Sequence, residues 1–344
     1  MVISGSLSQL GVAIPEVSII VPARNEEASL GDCLQSLVAQ TGVTSEIIVV
    51  DDGSTDGTRA IAESCGNICV ISPGLLPEGW TGKNNAVVAG AAIAKGEWLL
   101  LTDADTVHLP GSLARALAEA KRECADLLSY SPKQIVGSFA EKAVMPVVFA
   151  ELAAEYPPDK VRDPKSGIVA ANGQYMLVRR AVYEALGGHA AVAGEILEDV
   201  AMAKMFHRAG LRVYFRYGGD AVRTRMYRSW SQLREGWTKN LALLFPQARR
   251  HALMLAAWWL LAWATLPLAV PAAALFLRIR RANFGPSTTL LSAAFGPPVF
   301  AFLLLRSQRA HANEGVSWKG RTYGGFVRSA GGTSPAAAST RRVA

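Results

Sequence analysis

The chain has 344 residues, of which 50% are hydrophobic and 18% charged, so it can bury a large core and is not disordered as a whole. Its formal charge of +7 would fit nucleic acid, but Lys and Arg concentrate beyond residue 204, next to apolar segments. That distribution favours an anionic membrane surface, and we expect no nucleic-acid partner. Residues 1–16 lack the charged and long apolar regions of a signal peptide, so we expect the first domain in the cytoplasm.

The first half of the chain alternates short apolar runs with helical patterns. VSIIVP at 17–22 predicts a strand buried on both faces, and leucines spaced for one helix face follow at 30–38. A second buried strand is predicted at 46–50, and a helix at 83–95 leads into the strand-like WLLLTDAD, 98–105. Such alternation with short connections predicts a right-handed, mostly parallel α/β sheet, with ligands bound after the strand ends.

GEWLLLTDADT at 96–106 ends an apolar run in two aspartates, Asp103 and Asp105. In an extended chain they project to the same side, and two carboxylates so placed need a cation or hydrogen-bond donors. The following residues do not fit a calcium-binding EF-hand loop, and GWTGKN at 79–84 does not fit a phosphate-binding P-loop. Without further context a solvated turn remains open.

Five motifs in order and at a characteristic spacing resemble the family 2 glycosyltransferases of the GT-A fold, over roughly residues 15–245. The motifs are VPARNEE at 21–27, VVDDGSTDGT at 49–58, GWTGKNNA at 79–86, TDADT at 102–106 and LEDVAMAKMF at 197–206. PEGWTGKNNA and the late WKGRTY at 318–323 are similar, more narrowly, to membrane-bound hopanoid-associated and carotenoid-type glycosyltransferases. The resemblance implies an α/β, Rossmann-like nucleotide-sugar-binding domain.

The resemblance also implies a donor site with a divalent metal. Asp105 would be the main ligand of Mg²⁺ or Mn²⁺ and Asp103 its companion, an oxygen set that suits these hard cations. Asp52 would accept the ring N–H of uracil, although its neighbour Asp51 stays a candidate and both could instead cap the following helix. The remaining nucleotide-binding candidates implied by the resemblance are Ala23, Arg24, Glu26 and Lys83.

On the acceptor side, the resemblance implies that Asp199 is the catalytic base with Glu198 as its neighbour. Capping of the helix that begins there is the alternative reading of this pair. Asn172 and Gln174 fall where such enzymes shape the acceptor pocket, and Trp237 lies in SWSQLREGWTKN, residues 229–240. That stretch does not match the Gln-x-x-Arg-Trp element of processive synthases, which favours a single transfer.

The C-terminal part predicts a membrane segment at 252–305. Residues 252–277 carry no charge and are long enough to span a bilayer, and a second candidate, 287–305, is interrupted by Gly296-Pro297-Pro298. These two segments could form two membrane spans. Alternatively they could form a re-entrant hairpin that bends at Gly296-Pro297-Pro298 and at Pro267 and Pro271. We expect a basic tail at 306–344, disordered after about 328.

These patterns predict a metal-dependent, membrane-associated, inverting glycosyltransferase. It would move one sugar from a nucleotide sugar, expected to be a UDP-sugar, to a lipid: a hopanoid, a carotenoid, or another polyisoprenoid or glycerolipid. The expected location is the cell inner membrane with the catalytic domain in the cytoplasm. A processive polysaccharide synthase and a non-catalytic nucleotide-sugar-binding membrane protein are the alternatives.

Overall fold

The computed structural model describes residues 14–265, 269–313, 315–318 and 320–323. These residues form twelve strands and twelve α-helices, with a 3₁₀ turn at Gly188–Val192. The strands are β1 Val17–Ala23, β2 Ser45–Asp51, β3 Cys69–Ile71, β4 Trp98–Leu101, β5 Thr106–His108, β6 Leu127–Ser131, β7 Lys133–Gln134, β8 Met176–Arg179, β9 Val213–Tyr217, β10 Val222–Thr224, β11 Val316–Trp318 and β12 Arg321–Tyr323. The helices are α1 Leu30–Val38, α2 Thr58–Ser64, α3 Gly82–Ile93, α4 Ser112–Arg122, α5 Phe139–Glu155, α6 Pro158–Arg162, α7 Arg180–Ala185, α8 Glu198–Arg208, α9 Trp230–Leu244, α10 Ala248–Ala264, α11 Val270–Arg280 and α12 Pro286–Asn313.

A seven-stranded sheet with the order β3-β2-β1-β4-β8-β6-β9 forms the centre of the α/β part. Strands β1 to β4 pair in parallel, as do β6 and β9, while β8 runs antiparallel to both of its neighbours. A smaller sheet, β5-β10-β7, lies beside it. The mostly parallel α/β fold predicted from the alternation is therefore confirmed.

The apolar run of β1 is continuous because both faces of the sheet are covered. Ile19 belongs to the core beneath α1, where it packs with Leu34. Its neighbour Ile20 points to the opposite core, which contains Val87 of α3. Both isoleucines are fully buried, as expected for a strand covered by helices on both faces.

The C-terminal helices share one hydrophobic core with two earlier helices. Side chains of α5 and α9, both within the predicted 15–245 domain, pack with α10, α11 and α12. The contact between α12 and α5 is close at Gly296, where a Cβ would collide with the carbonyl oxygen of Ala143. Ser292 donates to the same carbonyl at 2.7 Å. The helical unit is thus built onto the α/β domain through long-range contacts.

The predicted helix at 252–277 is divided in the structure. Helix α10 ends at Ala264, and α11 begins at Val270 after Ala269 adopts a left-handed backbone conformation (φ 56°). Pro271 lies in the first turn of α11, where its missing N–H breaks no helical hydrogen bond. Pro267, the other predicted bend, lies outside the described residues. The 11 residues of α11 extend about 16 Å, about half of a bilayer's hydrocarbon core.

Within the described ranges, one helical segment, Pro286–Ala312, is long and apolar enough to cross a membrane by length and composition. In its most apolar window 44% of the residues are buried against the rest of the protein. The first eight residues of the predicted basic tail, 306–313, continue α12. The part of the tail predicted to be disordered, beyond about 328, lies outside the described residues.

An ion pair with a buried carboxylate ties the helical unit together. Glu151 of α5 is fully buried and accepts two hydrogen bonds from Arg278 of α11, at 2.6 and 2.7 Å. His251 of α10 lies 3.2 Å from the same carboxylate. The guanidinium of Arg278 therefore contacts the interior of the helical unit.

Candidate functional site

A cavity of about 330 Å³ lies where β1, β2 and β4 end, and it extends toward α5, α8 and α9. Twelve of the residues singled out in the sequence line it: Ala23, Arg24, Glu26, Asp52, Lys83, Asp103, Asp105, Asn172, Gln174, Glu198, Asp199 and Trp237. They come from segments far apart in the chain. The fold brings them together because the carboxyl ends of neighbouring parallel strands meet at one edge of the sheet. Their proposed roles remain predictions.

The structure separates the two adjacent aspartates after β2. Asp52 lines the cavity, whereas Asp51 is not among the lining residues. One oxygen of Asp51 accepts the N–H of Ser54 at 3.1 Å, and the other lies 3.8 Å from Arg59 of α2. Asp51 thus stabilises the turn into α2, and Asp52 is the carboxylate of the pair that lines the cavity.

Lys83 connects two acidic segments of the site. Its ammonium lies 2.7 Å from Asp103 Oδ1 and 2.6 Å from Glu198 Oε1. Burial alone would lower the pKa of Lys83, but the two carboxylates hold it well above the usual value. Burial likewise opposes ionisation of Glu198, yet the Lys83 charge keeps the pKa of this carboxyl below its ordinary range. Both groups are therefore charged at neutral pH.

Asp199 has a different environment from its neighbour Glu198. Its carboxylate accepts the backbone N–H groups of Gly173 and Val200, each at 2.8 Å. Burial, reinforced by the negative charge of Glu198, raises the pKa of Asp199 from 3.8 to about 6. A carboxylate with this pKa is ionised at neutral pH and is a stronger proton acceptor than an exposed one.

The segment that leads into Glu198 and Asp199 at the start of α8 is fixed by Asn84 of α3, a residue to which the sequence assigned no role. The buried Asn84 amide donates to the carbonyl groups of Val192 and Ala193, both at 2.9 Å. Thr81 caps the N-terminus of α3, and its hydroxyl accepts the N–H of Asn84 at 3.2 Å. The motif GWTGKNNA therefore positions the acidic pair as well as lining the pocket.

A buried polar cluster supports the loop between Asp103 and Asp105. Thr106 donates to the carbonyl of Asp103 at 2.8 Å, and His108 Nε2 lies 3.1 Å from the hydroxyls of both Thr102 and Thr106. Burial lowers the pKa of His108 to about 3, so this ring is neutral. Sequence reasoning left all histidines without a role, because an isolated His gives no periodic or spacing signal.

The residues present fit a divalent cation of the kind predicted. Over the described ranges, no cluster of three or more His, Cys, Asp or Glu residues forms a closed metal cage. Asp103 and Asp105 instead present carboxylates to an open cavity. Mg²⁺ is commonly held by one or two carboxylates, with substrate phosphates and water completing its shell.

Part of the cavity lining is apolar. It consists of Phe149, Leu152 and Ala153 of α5 together with Leu244 of α9. Trp237, 2% exposed, packs edge-on against Phe149 with ring centroids 6.2 Å apart. One cavity thus combines charged side chains with apolar side chains that can contact a hydrocarbon chain.

Arg321 of β12 is a further charged residue of the cavity lining, and the sequence analysis gave it no individual role. Its guanidinium forms an ion pair with Asp52, from Nη1 to Oδ2 and, at 3.0 Å, from Nη2 to Oδ1. The available signal was the motif WKGRTY, which contains this arginine. Spacing along the chain could not connect it to a carboxylate 269 positions away.

Comparison with known proteins gives consistent matches. The model of glycosyl transferase family 2 matches residues 18–187. A 4,4'-diaponeurosporenoate glycosyltransferase of Staphylococcus haemolyticus (strain JCSC1435) is 30% identical over 262 residues, which cover 73% of this chain and 67% of that protein. The protein of that name from Staphylococcus aureus (strain MRSA252) is 31% identical over 234 residues, or 66% of this chain and 60% of the relative.

Among solved structures, a mannosyltransferase from Pyrobaculum calidifontis in complex with GDP-Man and Mn²⁺ is similar, with a TM-score of 0.51. The two chains are 20% identical, and the match covers 87% of each. At this identity the likeness concerns the fold.

Proposed function

This chain belongs to glycosyl transferase family 2, and we propose that it transfers a single sugar from a UDP-sugar to a lipid acceptor with inversion at the anomeric carbon. The observation that carries this proposal is the cavity itself. Its lining contains the carboxylates of Asp103, Asp105 and Asp199 together with apolar side chains of α5 and α9. A soluble anionic donor and a lipid acceptor need these two environments next to each other.

At the donor end, Asp105 and Asp103 would hold Mg²⁺ or Mn²⁺, and Lys83 lies beside them at 2.7 Å from Asp103. When bound, such a cation offsets the charge that gathers on the departing diphosphate. Asp52 accepts the ring N–H of the base, a contact that distinguishes uracil from cytosine. The Mn²⁺ and GDP-Man bound by the mannosyltransferase support a nucleotide-sugar donor and a divalent metal.

At the acceptor end, Asp199 takes the proton from an attacking hydroxyl group. Its pKa of about 6 lies close enough to neutral pH for efficient proton transfer. The N–H groups of Gly173 and Val200 fix its carboxylate, and the Lys83–Glu198 pair keeps the neighbouring charge compensated. Attack from one face in a single displacement inverts the anomeric carbon.

The acceptor is a lipid of the carotenoid, hopanoid, other polyisoprenoid or glycerolipid class. The relatives named 4,4'-diaponeurosporenoate glycosyltransferase support this class, as does the apolar lining of the cavity. The proposed location is the inner membrane. Exposed apolar side chains on α10 and α11 support membrane association, among them Leu253, Trp258, Leu260, Trp263 and Val270. The break before α11 supports a bend in the first predicted segment. The second predicted bend, at Gly296-Pro297-Pro298, is not seen, because α12 continues as one helix through these residues.

The test is transfer from radiolabelled UDP-sugars to a lipid extract in the presence of Mn²⁺, with products identified by mass spectrometry. We expect one sugar per lipid, loss of the product in Asp105→Asn, and wild-type transfer in Asp32→Asn, which removes an exposed carboxylate from α1. Products with several sugars would contradict single transfer. Full activity of Asp105→Asn would contradict the metal assignment, and release of the protein from membranes by carbonate would contradict integral association.

A further inference from the structure

The hairpin formed by β11 and β12 is held on the catalytic domain. Val316, 3% exposed, is buried in β11, a strand that packs against α9. The strands pair antiparallel, with Trp318 opposite Arg321. This pairing presents Arg321 at the cavity, where it is one of the lining residues.

The Arg321 guanidinium covers the carboxylate of Asp52. It contacts both carboxylate oxygens in a bidentate pair, and only 10% of the Asp52 side chain stays exposed. The N-terminus of α3 closes the other side, since a Cβ at Gly82 would collide with both Arg321 and Asp52. In this state the carboxylate has little surface left for the edge of a nucleotide base.

We propose that Arg321 belongs to the donor site and competes with the nucleotide base for Asp52. The inference rests on the proposed function, which supplies a nucleotide donor and assigns its base to Asp52. Arginine is suited to such a contact because its planar fork matches both carboxylate oxygens. Asp52 then has a partner in either state: Arg321 before the donor binds, and the ring N–H afterwards.

The competition makes donor affinity depend on the docked hairpin. A ligand that needs a withdrawn hairpin binds with an apparent Kd equal to its intrinsic Kd divided by the fraction of molecules in which Arg321 is withdrawn. Removing the guanidinium should therefore tighten nucleotide binding, although it removes a positive charge near an anionic ligand. The loss of a positive charge alone would weaken the binding of an anionic nucleotide. Tighter binding in the variant would therefore indicate competition for Asp52.

The first experiment measures UDP binding to the full-length protein by calorimetry in the presence of Mn²⁺. We expect Arg321→Gln to lower the Kd on the order of 10-fold, because the docked state no longer excludes the base. Arg309→Gln is the matched control, since Arg309 is exposed on α12 and does not line the cavity. An Arg321→Gln protein that binds UDP as wild type does, or more weakly, overturns the proposal.

The second experiment follows hydrogen exchange of the hairpin amides without any activity measurement. In the ligand-free protein, Arg321→Gln and Asp52→Asn should both speed exchange in peptides covering 316–323, and UDP should do the same in wild type. Unchanged exchange in the two variants overturns the docking role of the ion pair. If wild type and Arg321→Gln both fail to bind UDP, the proposed donor is wrong. If both bind UDP with the same affinity, the donor stands and the role of Arg321 is wrong.

Discussion

Replacing Lys83 by methionine should destabilise the protein, and the effect should grow as the pH rises. The substitution keeps most of the side-chain length but removes the ammonium between Asp103 and Glu198. Glu198 then keeps its buried position, with 10% of the side chain exposed, and loses the cation at 2.6 Å. An uncompensated carboxylate in such a position must either ionise at a cost or bind a proton.

The expected magnitude follows from the exposure of each partner. Breaking a fully buried ion pair costs about 3–5 kcal/mol, whereas exposed pairs contribute about 1 kcal/mol or less. The side chains of Lys83 and Asp103 are 33% and 29% exposed, so their pair belongs near the lower figure. The Lys83–Glu198 contact lies between the two limits, and we expect a total loss of roughly 2–3 kcal/mol near neutral pH.

The pH dependence has a definite sign. In wild type the pKa of Glu198 lies below its ordinary 4.5, so the pair's stabilisation is present above that value and is lost as the pH falls through the folded-state pKa. Without Lys83, burial should raise the pKa of Glu198 above 4.5, so that the folded variant loses stability as the pH rises. The difference between variant and wild type should therefore be smaller near pH 4.5 than near pH 7.5, and it should vanish only below the folded-state pKa of Glu198.

Urea unfolding followed by tryptophan fluorescence measures this difference at both pH values. Lys165→Met is the control, because Lys165 is an exposed loop residue outside the cavity. A loss of stability for Lys83→Met that is equal at the two pH values would refute the electrostatic reasoning and indicate a packing effect.

Three further predictions concern the proposed base and the helical unit. Asp199→Asn should lower turnover with a hydroxyl acceptor by roughly 10²-fold or more while leaving UDP affinity near wild type; normal turnover would exclude the base role. In the wild type, kcat/KM should decline as the pH falls through about 6, where Asp199 becomes protonated, and an acid limb centred near pH 4 would contradict its raised pKa. Gly296→Ala should cost about 1–3 kcal/mol of unfolding free energy in urea, because its Cβ would collide with Ala143 of α5. Gly285→Ala, with open space around its Cβ, should stay close to wild type, and equal stability of the two variants would count against the close α5–α12 contact.

The sequence by itself determined the α/β fold. Strand β1 reads as an apolar run because every side chain along it faces a helix layer, and this burial is visible in local composition. The motifs after β1, β2 and β4 indicated the edge of the sheet at which a cavity forms, since parallel strands bring their carboxyl ends together. Local patterns suffice for such features because each depends on residues close in the chain.

Only the tertiary structure decided which side chains of those motifs meet. Asp51 and Asp52 are indistinguishable as neighbours in sequence, yet one stabilises a turn and the other faces the cavity. The sequence did not show that Lys83 joins Asp103 to Glu198, or that α5 and α9 pack with the C-terminal helices. Arg321 reaches Asp52 across 269 positions. Such contacts depend on how separate elements pack, and a pairing between distant residues leaves no periodicity or spacing in the chain from which it could be read.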